Sequence, residues 1–210
     1  MPRRAGALAG VEGEPALVLR EHLLDAAEAL LAERSVGGVT TRALAQKARV
    51  SEGVLYNHFA DKSDLLVGAL VRRFSRLVER LNSAIPHAGD SDVRANLEVL
   101  AMRLVELQAD ALPLVRKLMG EPELLSRFAV EIHARDLPFG GRQIREPVVA
   151  YLAAEQSAGR LGQFDAGAAA DVLLATTAGF ALAAEVAPFD CESRVKSLVE
   201  TMLGGLKGEK

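Results

Sequence analysis

The chain has 210 residues, half of them hydrophobic, and a formal net charge of −3. This length can bury a substantial core, and the abundance of alanine and leucine without β-branched runs favours helices. The single cysteine, Cys191, excludes an internal disulfide and is typical of a reducing compartment, so we expect a cytoplasmic protein. Residues 1–16 lack the apolar run of a secretory signal and are expected to form a flexible arm. The most apolar segment, 172–184, is shorter than the ~20 residues that span a bilayer, so no membrane partner is expected.

The first half of the chain predicts three helices after a first, longer one. Helical periodicity starts at Val18 and stops at the pair Gly37-Gly38, a residue type that commonly ends helices. Thr40, Ser51 and Asp61 each stand where a polar side chain can cap the helix that follows. These signals predict short helices over 41–48 and 52–59 and a long helix from 62 that runs until Pro86.

The second half predicts further helices and no strand. Pro147 should kink or restart the helix that contains it, Gly159 should end that helix, and Asp165 should cap the next one. The predicted helices cover 93–109, 112–119, 123–135, 140–158, 166–186 and 192–206. We therefore predict an all-α chain of about nine helices, with a small N-terminal unit and a larger bundle.

The two short helices and the link Arg49-Val50-Ser51 predict a helix-turn-helix. Leu55 and Phe59, four residues apart, should point inward and anchor the second helix, which leaves its other side chains facing outward. Such side chains suit the floor and walls of a DNA major groove. The residues expected to contact DNA are Thr40, Thr41, Arg42, Ser51, Glu52, Gly53, Val54, Tyr56, Asn57, His58 and Lys62.

These residue types offer two kinds of DNA contact. Val54 can pack on a thymine methyl group and Asn57 can hydrogen-bond to base edges, while Gly53 lets the backbone approach closely. Tyr56, His58 and Lys62 can donate to phosphate oxygens, as can Thr41 and Arg42. Charge supports this placement, because residues 35–62 carry four cations and two carboxylates, a local charge of +2 that leaves −5 for the rest.

The segment "VTTRALAQKARVSEGVLYNHFADKSDLLVGAL", residues 39–70, resembles the DNA-binding region of the TetR family of bacterial regulators. The resemblance rests on Thr-Thr before the first short helix, Leu-Ala within it, Leu-Tyr-x-His-Phe in the second and Lys-x-x-Leu-Leu opening the long helix. The family usually has glycine where this chain has Arg49, a position that often takes a left-handed conformation and costs another residue roughly 1 kcal/mol. The resemblance implies a helix-turn-helix domain over 17–63 and a ligand-binding and dimerisation domain over 64–210.

The resemblance also implies a homodimer that binds a near-palindromic double-stranded operator and responds to a small-molecule effector. It favours a repressor, and the apolar composition of 93–158 favours a mostly apolar effector. The expected pocket residues are Met102, Gln108, Arg116, Met119, Phe128, His133, Phe139 and Tyr151. The expected dimer interface, formed by the last two helices, includes Ala175, Gly179, Ala183, Val195, Leu198 and Met202.

Four alternatives have less support in the sequence. Tyr56 and His58 could form a catalytic pair, but no nucleophile or orienting carboxylate stands beside them, so we expect no enzyme. The histidines are too scattered for a metal site, and no cofactor is expected. A helical ligand-binding protein and an architectural DNA-binding protein without effector control remain open as functions.

Overall fold

The computed structural model describes residues 15–134 and 142–206. Within these ranges the chain forms nine α-helices and one short 3-10 turn, and no strand, so the all-α prediction is confirmed. The helices are α1 (Pro15–Glu33), α2 (Thr41–Ala48), α3 (Glu52–Tyr56), α4 (Lys62–Asn82), α5 (Val93–Met119), α6 (Pro122–Ala134), α7 (Arg142–Ser157), α8 (Ala166–Val186) and α9 (Cys191–Leu206), with the turn at Val36–Gly38.

The chain divides into two compact units, one up to Leu70 and one from Val71. The sequence placed the boundary at 63/64, whereas the structure places it inside α4. The first unit contains α1, α2, α3 and the start of α4, and its core includes the fully buried Leu23, Leu44 and Leu66. These side chains of α1, α2 and α4 remove apolar surface from water and thereby hold the three helices together.

Gly68 in α4 lies where α1 passes closely. A Cβ atom at this position would lie 3.0 Å from Leu24 Cδ2, a separation that real side chains rarely show. Glycine therefore permits the close packing of these two helices inside the first unit.

The second unit is a bundle with α5 at its centre. Leu97, Leu100 and Leu104 of α5 are fully buried, and α5 packs against α8 and α9 while α7 packs against α8. The apolar core of this unit thus draws residues from most of its helices.

Several predicted boundaries are wrong. The helices predicted over 93–109 and 112–119 are one continuous helix, α5, with Pro113 in its interior. A proline in a helix interior costs about 3 kcal/mol, and the burial of Leu107, Leu114 and Leu118 around it offsets that cost. Helix α3 ends at Tyr56 instead of residue 59. Pro147 lies inside α7, so it does not restart the helix, and the predicted kink stays a prediction. The predicted start of α7 at residue 140 and the end of α6 at 135 lie outside the described residues.

Gly159 and Asp165 act as the sequence predicts. Gly159 has φ +70°, and the amide of Arg160 donates to the Glu155 carbonyl at 3.0 Å, which closes the end of α7. The Asp165 carboxylate accepts from the Ala168 amide at 3.0 Å and so caps α8.

Helix α8 has the length and composition of a helix that could cross a membrane. Two of its carboxylates, however, are paired with arginines of neighbouring helices. Asp171 accepts from Arg145 of α7 at 2.6 Å, and Glu185 pairs with Arg116 of α5. These ion pairs fix α8 within the bundle by charge as well as by apolar packing.

Candidate nucleic-acid interface

The start of α2 is fixed by two polar contacts. The Thr40 hydroxyl accepts from the Ala43 amide at 3.1 Å, which confirms the predicted cap. The Lys62 ammonium donates to the Val39 carbonyl at 3.0 Å. This contact holds the residue before Thr40 and gives Lys62 a structural partner in addition to the phosphate contact expected from the sequence.

The start of α4 is also capped as predicted. The Asp64 amide donates to Asp61 Oδ1 at 2.8 Å, and Asp64 Oδ2 accepts from the Ala60 amide at 2.9 Å. These reciprocal bonds satisfy two amides that the helix itself leaves without partners.

The turn between α2 and α3 depends on Arg49. This residue has φ 58° and ψ 39°, the left-handed conformation that the sequence predicted, and it is the only described residue other than glycine with positive φ. The Arg49 amide donates to the Gln46 carbonyl at 3.2 Å, and the Val50 amide donates to the Ala45 carbonyl at 3.0 Å. The last carbonyls of α2 are thereby satisfied and the chain turns sharply into α3.

Ser51 precedes α3 with extended backbone, but its side chain makes no capping hydrogen bond. The predicted side-chain cap is therefore wrong. The start of α3 is held instead by the Ser51 carbonyl, which accepts from the Val54 amide at 3.1 Å. The Ser51 side chain is exposed on the same surface as the first residues of α3.

Helix α3 separates an inner from an outer face. Leu55 and Phe59 are buried, as predicted, and they anchor this short segment to the core of the first unit. Tyr56 is 55% exposed, Asn57 and Gly53 are exposed, and Val54 and His58 are half-buried. The outer face thus presents hydrogen-bonding and small apolar groups to solvent, a combination that suits base edges and phosphates.

Gly53 has no intramolecular reason to be glycine. A Cβ atom there would approach the Ser51 Oγ atom to only 4.0 Å, an ordinary contact, and its φ is not positive. The open space on this side of α3 therefore favours close approach by another molecule.

Two contacts in this unit were not foreseen from the sequence. His22 of α1, which the sequence showed only as an isolated histidine, lies with its Nε2 atom 2.9 Å from the Ala48 carbonyl. The Thr41 hydroxyl donates to Glu52 Oε2 at 3.1 Å and so connects the starts of α2 and α3. Both contacts join residues that are distant in sequence, so no local sequence pattern predicts them.

The first unit matches a known protein family. The family model described as bacterial regulatory proteins, tetR family, matches residues 23–69, which contain all of α2 and α3 and parts of α1 and α4. Residues 23–69 therefore carry the domain of the tetR family of bacterial regulatory proteins.

Two relatives are similar to part of this chain. The HTH-type transcriptional repressor KstR of Rhodococcus jostii (strain RHA1) is 43% identical over 61 residues, which are 29% of this chain and 29% of that protein. Tetracycline repressor protein class D of Escherichia coli is 39% identical over 72 residues, 34% of this chain and 32% of that protein. The chain thus spans about a third of the length of each of these two relatives.

The fold likeness extends over the second unit. A candidate TetR-family transcriptional regulator from Mesorhizobium loti MAFF303099 has a TM-score of 0.77 and 18% sequence identity, covering 92% of this chain and 98% of that one. At this identity the likeness concerns the fold alone.

The described residues that were expected to line an effector pocket are dispersed in the second unit. Met119 is 71% exposed, His133 is exposed, and Arg116 is engaged with Glu185. Phe128 is fully buried, with its ring edge-to-face against Phe74 at 6.2 Å between centroids. Met102 is half-buried, and Phe139 lies outside the described residues.

Gln108 and Tyr151 are the expected pocket residues with buried polar atoms. Gln108 Nε2 donates to the Thr177 hydroxyl at 3.1 Å and to the Leu174 carbonyl at 3.2 Å, which joins α5 to α8. Gln108 Oε1 is buried without a hydrogen-bond partner among the described residues. The pKa of Tyr151 is raised because its hydroxyl is buried and lies near Glu155.

Two clefts of the second unit are lined by other residues. One, of about 300 Å³, lies between the end of α4 and the middle of α5, with Leu81 and Leu107 at its floor and Arg80 and Asp110 at its rim. The other, of about 610 Å³, lies between α4 and α7 and is lined by Val78, Glu79, Asn82, Gln143, Glu146 and Pro147. Neither contains the residues expected from the sequence.

The residues expected at the dimer interface fall into two groups. Val195 and Met202 are buried within the chain's own core, so they have little surface to offer a partner. Ala175 and Gly179 of α8 are exposed, while Ala183 and Leu198 are half-buried. Six of the exposed residues of α8 form a stripe with spacings of three and four: Ala168, Val172, Ala175, Gly179, Leu182 and Val186.

Proposed function

We propose that this protein is a transcriptional regulator that binds double-stranded DNA through α2 and α3 as a homodimer. The observation that carries this proposal is the outer face of α3, where Tyr56, Asn57 and Gly53 are exposed while Leu55 and Phe59 fix the helix from behind. The matched relatives are named as repressors, which favours repression as the direction of control.

A dimer follows from the size of the reading element. Helix α3 has five residues and can contact only a few base pairs, too few to define one site in a genome. Two copies related by a two-fold axis double the sequence that is read and favour a near-palindromic operator.

The exposed stripe on α8 supports this homodimer. Its spacing of three and four residues is the pattern by which helices pack side by side, and Ala175 and Gly179 at its centre allow close approach. Val172, Leu182 and Val186 are 52%, 53% and 80% exposed, a large apolar area for an isolated chain. We propose that two copies of α8 bury this stripe against each other.

We further propose that a small, mostly apolar effector binds in the second unit and releases the protein from DNA. Gln108 Oε1, buried beside apolar side chains, can accept a hydrogen bond from such a molecule. Helix α4 contains residues of both units, so a change in the second unit can reach the first through a continuous helix. The effector can weaken DNA binding only by the difference in its affinity for the two states.

The DNA-binding proposal is tested by selecting bound duplexes from a random pool and then measuring affinities of variants. Asn57→Ala should change the preference at particular base pairs by ~1–3 kcal/mol, because an amide reads base edges. Tyr56→Phe should weaken binding to selected and random duplexes alike, because a phenol that donates to phosphate carries no sequence information. Equal losses on both kinds of duplex for both variants would contradict this division, and a wild-type protein that enriches no duplex would contradict DNA binding itself.

Effector control is tested by calorimetry with a ligand found by thermal-shift screening. Linkage requires operator DNA to weaken ligand binding by the same factor by which the ligand weakens operator binding, typically ~5- to 150-fold. Identical ligand affinity with and without operator would count against release by an effector.

A further inference from the structure

Glu52 is an acidic residue on a surface that otherwise suits a polyanion. It is the first residue of α3 and is exposed, and the Thr41 hydroxyl donates to its Oε2 atom at 3.1 Å. Thr41 is the first residue of α2. The carboxylate is therefore held in place between the starts of the two helices of the helix-turn-helix.

No lysine or arginine among residues 15–134 and 142–206 forms an ion pair with Glu52. Within the same residues, the Glu52 side chain forms one hydrogen bond, the one that it accepts from Thr41. Glu33 of the same unit differs, because its carboxylate accepts from Lys47 at 3.0 Å. Glu52 thus keeps a free carboxylate oxygen and a negative charge to present to whatever contacts α3.

An ionised carboxylate accepts hydrogen bonds and donates none. Phosphate oxygens are also acceptors and also negative, so a contact between Glu52 and the DNA backbone is unfavourable. The hydrogen-bond donors of the major groove are the amino groups of cytosine and adenine. A carboxylate at this position is compatible with tight binding only where it meets such an amino group.

Cytosine is the better partner of these two bases. Adenine presents the N7 acceptor beside its amino group, and thymine and guanine present acceptors in the groove, all of which repel a carboxylate. Cytosine presents its amino group with no acceptor beside it on the same base. The acidic side chain therefore raises the affinity for DNA with cytosine at this position and lowers the affinity for DNA with any of the other three bases.

We propose that Glu52 is a specificity-determining residue that selects a cytosine in each operator half-site, with Thr41 as the residue that positions its carboxylate. This proposal rests on the proposed DNA-binding function. Glu52 lowers the affinity of the protein for random DNA and restores it only at sites with cytosine opposite the start of α3, so it acts by rejecting wrong sequences as much as by binding the right one.

The test uses the full chain and an operator obtained by selection from random duplexes. Affinities are measured for the selected duplex, for its single base-pair variants and for random duplex at one salt concentration. Wild-type protein should prefer cytosine by about tenfold or more at one position of each half-site. Glu52→Gln should move that preference to adenine, because an amide can accept from the adenine amino group and donate to N7. Glu52→Ala should lose the preference and bind random duplex more tightly than wild type.

Two further variants separate this effect from net charge and from folding. Glu33→Gln changes the charge of the same unit by the same amount and should leave every base preference and the affinity for random duplex unchanged. Thr41→Val should weaken the cytosine preference while the protein keeps its thermal stability. A Glu52→Gln protein that retains the wild-type base preference at every position would overturn the proposal while leaving DNA binding intact. A wild-type protein that enriches no duplex would instead overturn the DNA-binding function on which the proposal rests.

Discussion

At Arg49 the side chain and the backbone conformation are in conflict. A left-handed conformation brings the Cβ atom of a non-glycine residue too close to its own backbone, at a cost of ~1 kcal/mol or more. The hydrogen bonds that follow α2 nevertheless require this conformation, because the Val50 amide reaches the Ala45 carbonyl only after the turn. The protein is therefore less stable with Arg49 than it would be with a residue that adopts this conformation without strain.

Replacing Arg49 with glycine should raise stability. Glycine adopts φ 58° without strain, so Arg49→Gly should increase the free energy of unfolding by about 1 kcal/mol, seen as a rise of about 2–4 °C in the thermal midpoint. Gln46→Gly is the matched control, because glycine in the interior of α2 should lower stability by about 1 kcal/mol. A fall in the midpoint for both variants would show that the side chain of Arg49 contributes more than its backbone strain costs.

The sequence predicted these local features because their causes are local. Thr40 and Asp61 cap helices through amides three residues away, and the turn at Arg49 uses carbonyls within four residues. The Thr41–Glu52 and His22–Ala48 contacts depend instead on how α1, α2 and α3 pack. The missing cap at Ser51 shows the same limit, because a suitable residue type does not ensure the side-chain orientation.

At the scale of elements, a buried ion pair closes the end of α7. The Glu155 side chain is fully buried and accepts from Arg160 at 2.6 and 2.7 Å, while Arg160 also donates to the Ser91 carbonyl at 2.7 Å. The arginine therefore connects the end of α7 to the segment before α5. The hydrogen bonds from Arg160 lower the pKa of Glu155, although burial opposes them.

This pair should make stability depend on pH in acid. Because the pKa of Glu155 is lowered in the folded state, its contribution is complete above the unfolded pKa of about 4.3 and is lost as the pH falls through the folded value. Glu155→Gln should lower the free energy of unfolding by about 3 kcal/mol at pH 7, since it leaves Arg160 without its buried counter-ion, and the difference from wild type should shrink in acid. Denaturant unfolding at a series of pH values measures both effects.

The control for the Glu155–Arg160 ion pair is an exposed ion pair of the second unit. Glu192 accepts from Lys196 one turn later on α9, and both side chains are largely exposed. Glu192→Gln should change stability by less than about 0.5 kcal/mol at any pH. A Glu155→Gln difference that stays constant from pH 7 down to pH 3 would show that the ion pair does not carry the acid dependence.

The ends of helices were predicted less well than the caps, because the end of a helix depends on how the helices pack together. The break predicted between residues 109 and 112 does not occur, because the buried residues of α5 continue on both sides of Pro113. Helix α3 ends earlier than predicted, and Phe59 reaches the core from beyond the end of the helix. The expected pocket residues failed to converge for a related reason. Periodicity shows that a helix has an apolar face, but several apolar faces in one bundle leave open which one is buried, and Met119 is exposed while Phe128 is buried.

At the scale of the whole molecule, the proposed dimer through the stripe on α8 predicts that stability depends on protein concentration. If two chains bury Val172, Leu182 and Val186 against each other, folding is coupled to association and the thermal midpoint rises with concentration. Leu182→Glu should give a monomer, because a charge in an apolar interface lacks a partner. Sedimentation at several concentrations and the thermal midpoint at each measure the effect, together with the expected loss of operator affinity.

Val130→Glu is the matched control for the dimer. Val130 of α6 is 66% exposed and belongs to the same unit, so it tests an exposed apolar residue outside the stripe. Its variant should sediment as the wild type does. If Leu182→Glu also sediments as a dimer, the two copies meet on a different surface.

Pro113 has a consequence for how α5 opens. Proline has no amide hydrogen, so the Ala109 carbonyl lacks the bond that every regular position of a helix provides. Helices ordinarily fray from their ends, where hydrogen bonds are missing. In α5 a bond is also missing in the interior, and the amides next to Pro113 should exchange with deuterated solvent earlier than those around the buried Leu100 and Leu104. The longest helix of the bundle can thus open from the region of Pro113 while its N-terminal half stays closed.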